Sequence, residues 1–150
     1  MYPTNFIYKA PVAVVESLRK LFSVLNGENM NFQRAVNITD DRQLKNTLLQ
    51  FIQSSKQYAN ELKCQIESLG GGIVINDSIL PDNKGSDNLT MNNSKEILEY
   101  CCNCEVRVLS AYREILNQSF ILKDLRGIMR HQLNDMLCSF LQFKMLKGSF

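Results

Sequence analysis

Between residues 42 and 69 one spacing runs without interruption. Leu44, Leu48, Phe51, Ser55, Tyr58, Leu62, Ile66 and Leu69 follow one another at steps of three and four, which returns them to one face of a helix. At 1.5 Å per residue the stretch is a rod of about eight turns, roughly 40 Å long. One apolar stripe on so long a rod must be covered by other helices of similar length.

The same steps recur three more times. Val14, Leu18, Leu21, Leu25, Glu28, Phe32 and Ala35 predict a first helix over about 12–37, with Pro11 suited to its first turn. Gly27 lies inside that pattern and leaves a bend or a break open. The second helix takes 41–69: Thr39, Asp40 and Asp41 supply capping oxygens at its start, and Gly70, Gly71 and Gly72 supply a left-handed stop at its end. A third helix over 94–116 opens on a Ser94 cap, with Ile97, Cys101, Glu105 or Cys104, Val108, Tyr112 and Ile115 as its seam. A fourth over 120–146 buries Leu122, Leu125, Met129, Gln132 or Leu133, Met136, Phe140, Phe143 and Leu146.

Residues 70–93 are rich in Gly, Asn, Asp and Ser, carry Pro81 and have no helical period. Two short links and one long one predict an all-α, ferritin-like four-helix bundle, two antiparallel hairpins joined by a long crossover loop. An up-down-up-down bundle with the loop folded back locally is the runner-up. Ile73, Val74, Ile75, Ile79, Leu80 and Leu89 are expected to pin parts of the loop, leaving a mobile tip around Asp82 to Asn88.

A chain of 150 residues with 45% apolar content fits one domain, 1–150, able to bury a core without metals or disulfides. Its formal net charge of +2, from 17 basic and 15 acidic residues, gives no footprint for nucleic acid or an anionic membrane. No run approaches the ~20 apolar residues of a membrane span, and no basic leader precedes an apolar run, so a cytoplasmic protein is expected. Five cysteines, an odd number, then read as free thiols in a reducing compartment.

Ile97, Leu98, Cys101, Glu105, Ala111, Tyr112 and Leu116 follow a pattern close to I-L-x-x-C-x-x-G-E, then A-Y and a later leucine. Glu61-Leu62 with Leu69-Gly70-Gly71, and Asn31-Phe32-x-x-Ala35, add spaced matches in the second and first helices. In these positions, over about residues 15–146, the chain resembles a ferritin-like bacterial family of unknown function, small four-helix proteins. Cys104 and Asn31 stand where the family tends to glycine, and the last helix lacks a histidine that many relatives carry there.

The resemblance raises the question of a metal. A di-iron site in such a bundle takes a Glu from each of two helices and a Glu-x-x-His pair from each of the other two. Glu28, Glu61 and Glu105 are available, but Cys64 follows Glu61 by three, and the fourth helix has no glutamate. His131, the one histidine, stands a turn from Asp135 and could join it as a ligand. The alternative for Glu28 and Glu105 is the edge of the seam, reaching water or bonded to Tyr58, Tyr112 or Gln132, because a buried carboxylate needs a partner.

Cys101, Cys102 and Cys104 hold a Cys-x-x-Cys step. On a helix this could form a strained disulfide or bind zinc with Cys64, Cys138 or His131; the other reading is small buried hydrophobes. Gly70 to Gly72 follow a helix, not a strand, so they make no phosphate cradle. Phe140, Phe143, Met145, Leu146 and Phe150 either complete the core or, where exposed, form an isologous dimer contact.

These readings predict a non-catalytic structural or protein-interaction module with a degenerate di-iron site, no cofactor, and itself or another protein as partner. A metal-binding (iron or zinc) protein or oxidoreductase is the competing class. A thiol redox sensor using Cys101, Cys102 and Cys104 is the third.

Overall fold

The computed structural model describes residues 12–70, 91–119 and 121–149. They form four helices, α1 (Val12–Ile38), α2 (Arg42–Ser68), α3 (Ser94–Leu116) and α4 (Lys123–Gly148). No strand occurs among the described residues, and no helix among them is long and apolar enough to cross a membrane. The expected bounds hold to within a few residues. Pro11, Phe120, the loop residues 71–90 with their apolar anchors and expected mobile tip, and Phe150 lie outside the described residues.

Helix ends follow local chemistry. Asp41 caps α2, its Oδ1 accepting from the Leu44 amide at 2.8 Å. Gly70 closes it at φ +85°, a left-handed conformation that costs glycine no Cβ clash. The start of α3 corrects the Ser94 cap: Asn93 is the cap, accepting from the Glu96 amide at 2.9 Å. Glu96 returns the bond to the Asn92 amide at 2.8 Å. Ser94 instead bonds Thr39 at 2.6 Å, at the far end of α1. Leu122 is also corrected, since it stands before α4 at its cap position and is 41% exposed. At Gly27 α1 continues unbroken.

Each helix packs on two neighbours: α1 on α2 and α3, α4 on α2 and α3. Hydrogen bonds give the directions. Ser17 near the start of α1 bonds Glu114 near the end of α3 at 3.0 Å, while Thr39 just past α1 meets Ser94. Tyr58 of α2 bonds Asp135 of α4 at 2.5 Å, and Phe51 lies 5.5 Å from Phe140 between ring centres. All neighbours are therefore antiparallel. α1 and α4 run one way, α2 and α3 the other, and the end of α2 lies at the opposite end of the bundle from the start of α3.

The seams meet inside, where Leu18, Leu25, Leu48, Leu62, Val108 and Met136 have no exposed surface. In one half of the bundle every helix contributes a ring. Phe32 of α1 lies 4.3 Å from Phe51 of α2, 5.6 Å from Phe143 of α4 and 6.2 Å from Tyr100 of α3. Phe140 and Phe143 thus complete the core, while Met145 stays 66% exposed. The two open seam positions resolve to Cys104 and Gln132, both fully buried, with Glu105 and Leu133 half-buried.

Candidate functional site

The polar side chains within this core form separate clusters that bridge neighbouring helices. Glu28, on the α1 seam, is 5% exposed. Its carboxylate accepts from the Tyr100 hydroxyl and from Arg107 Nε at 2.8 Å. Asn31, one turn further along α1, donates from Nδ2 to the Tyr100 hydroxyl at 2.7 Å, and the Arg107 guanidinium lies 5.5 Å from the centre of the Tyr100 ring. Burial, then the charge of Glu28, pushes the Tyr100 pKa up. For Arg107 burial opposes the charge, but the hydrogen bond and charge of Glu28 outweigh it and its pKa rises. One side of the Glu28 carboxylate is held by a phenol, the other by a cation.

Between α2 and α4 the arrangement is reciprocal. Tyr58 donates to Asp135 Oδ2 at 2.5 Å, and Gln132 Nε2 donates to Glu61 Oε1 at 2.9 Å. Each helix thus offers a donor at one position and a carboxylate three residues later, on the same face. Tyr112 of α3 extends the chain of bonds, donating to Gln132 Oε1 at 2.9 Å, and Gln57 reaches Glu61 Oε2 at 3.1 Å. The buried Gln132 amide is satisfied at both ends, as a group with no exposed surface must be. Burial is the largest cause of the raised pKa values of Tyr58 and Tyr112, with Asp135 and Glu61 adding to it for Tyr58.

A third cluster joins α1 and α2. Asn29 Nδ2 donates to Ser55 Oγ at 2.7 Å and to the Ile52 carbonyl at 3.1 Å, while Gln33 Nε2 donates to Asn29 Oδ1 at 2.5 Å.

The candidate residues are therefore distributed. Glu28 faces α3, Glu61 faces α4, and Glu105 pairs with Lys144 of α4 at 2.8 Å. His131 is exposed, its ring edge-on to Tyr58 with 6.4 Å between centres. Among the described residues no group of three or more His, Cys, Asp or Glu side chains is placed to hold a metal ion. The expected partners of Glu28, Tyr58, Tyr112 or Gln132, are corrected to Tyr100 and Arg107, because Glu28 lies on the α1/α3 side of the core. Tyr58, Tyr112 and Gln132 serve the α2/α4 cluster.

All five cysteines are free thiols. Cys101 and Cys104 are fully buried, and burial pushes both well above the usual thiol pKa; Cys102, half-buried, is raised by the same cause, against Lys147 and Lys144. A protonated buried thiol is a poor nucleophile. Cys64 and Cys138, the thiols that would complete a zinc set, are exposed on α2 and α4.

Tyr100 and Arg107 were not marked by spacing, since both lie at the edge of the α3 seam. Ser55 did carry a signal, a polar residue in an apolar stripe, although its partner Asn29 did not.

No family model matches this chain, and a comparison with curated proteins gives no match.

Proposed function

We propose that this protein is a ferritin-like four-helix bundle in which hydrogen-bonded clusters stand where di-iron bundles carry ligands, so that it serves as a non-catalytic structural or protein-interaction module. The observation that carries this reading is the reciprocal pair between α2 and α4. The two helices that would each supply Glu-x-x-His in a di-iron bundle carry Tyr58-x-x-Glu61 and Gln132-x-x-Asp135. The carboxylates accept from a phenol and amides of this chain, and Cys64, three residues after Glu61, faces solvent. The helix directions support ferritin-like connectivity, because a connector from the end of α2 to the start of α3 must run the length of the bundle.

Elemental analysis tests the reading. Protein purified without a metal-affinity tag, then incubated with ferrous iron in air or with zinc, is expected to hold substoichiometric metal throughout. Near-stoichiometric metal that disappears in the E61Q and E105Q variants would overturn it in favour of a metal-binding or redox bundle.

A further inference from the structure

Val106, Leu137, Leu141 and Met145 are 69%, 37%, 57% and 66% exposed. They are half of the eight large apolar side chains left exposed among the described residues, and helical geometry collects them on the outer face formed by α3 and α4. Glu105 of α3 reaches Lys144 of α4 at 2.8 Å, and Tyr112 reaches Gln132 at 2.9 Å, which sets Val106 level with the Leu137–Leu141 turn. Leu141 and Leu137 precede Lys144 by three and seven residues, so they share its α3-facing side.

Charge on the same face selects an occupant. Glu99 and Arg113 are both exposed, and each is seven residues from Val106, two turns or about 10 Å to either side along nearly the same stripe of α3. Neither has an ion pair among the described residues. We infer that this face binds a second copy of the chain, with α3 antiparallel to α3 about a two-fold axis at Val106. That axis sets Glu99 opposite the partner's Arg113 and Arg113 opposite the partner's Glu99, as an isologous contact requires. The exposed leucines of α4 flank the apolar centre, and the two ion pairs close its ends. The inference rests on reading the chain as an interaction module and names its partner.

Sedimentation equilibrium on the full chain tests it, with circular dichroism to check that each exposed-site variant stays folded. The wild-type chain is expected to be a dimer and Val106→Glu a monomer. E99R or R113E alone turns two attractions into two repulsions and weakens the dimer about tenfold. Mixing the two variants is expected to restore wild-type affinity through a heterodimer, since every facing pair is then of opposite charge. A wild-type monomer, a dimer indifferent to Val106→Glu, or single variants that mixing does not rescue would each overturn the inference. None of these results depends on metal content, so the dimer and the module reading fail separately.

Discussion

At Tyr100 one hydroxyl donates to the Glu28 carboxylate and accepts from Asn31, so a single oxygen pairs the Asn31 amide and one side of the Glu28 carboxylate. Removing it by Tyr100→Phe strands the buried Asn31 amide and leaves Glu28 to Arg107 alone. A loss of about 1–3 kcal/mol is expected, read as a lower urea midpoint with unchanged slope. The tyrosines also set an alkaline limit. The pKa values of Tyr58, Tyr100 and Tyr112 are all raised above 10.0, so above about pH 10 the unfolded chain loses protons that the folded chain keeps. Their stabilising contribution is complete below that pH and is lost as pH climbs toward the folded values. Cys101 and Cys104, raised above 9.0, act in the same direction from about pH 9. Urea midpoints should fall over this range, and tyrosinate absorbance from these three rings should appear with unfolding, not before it.

The helices differ in how well their ends and interiors are made. α2 has an aspartate cap and a left-handed glycine stop, whereas α4 has Leu122 at its cap position, whose side chain offers no acceptor. Gly27 and Gly127 each lie inside a helix, and beyond the adjoining residues and backbone of that helix nothing comes within 4 Å of where a Cβ would sit. Gly27→Ala and Gly127→Ala should each stabilise by about 0.5–1 kcal/mol, additively because the sites lie on different helices; thermal or urea denaturation checks this. The helices themselves were legible because their apolar residues repeat at 3.6. Less legible was which of two adjacent residues faces inward. Glu105 and Cys104, or Gln132 and Leu133, differ by about 100° of rotation, and only contact with a neighbouring helix separates them. The partners of Glu28 were hidden for a related reason: Tyr100 and Arg107 stand 72 and 79 residues away, and nothing local to Glu28 points to them.

For the whole molecule, helix directions matter more than helix identities. Four seams and their short links fit either bundle topology, and the runner-up, up-down-up-down, would make α2 and α3 antiparallel. Contacts from Thr39 to Ser94 and from Tyr58 to Asp135 make them parallel. The end of α2 and the start of α3 then stand roughly 40 Å apart, a distance that at least about 12 extended residues are needed to span. Replacing residues 71–90 with a four-residue linker should abolish the native pairing, whereas a linker of about 16 should preserve it; amide exchange of α3 and α4 distinguishes the two.

The reciprocal bonds between Tyr58 and Asp135 and between Gln132 and Glu61 have one more consequence. Apolar seams of leucine and phenylalanine look much the same after a slip of seven residues, so oil-like contact alone would tolerate α4 sliding two turns along α2. A slip of that size breaks both bonds at once and parts the buried Tyr58 hydroxyl and the buried Gln132 amide from their carboxylate partners, at about 1–3 kcal/mol for each buried end left unpaired. The polar minority of the core is thus its vernier: the apolar residues hold the helices together, and these four choose the register in which they are held.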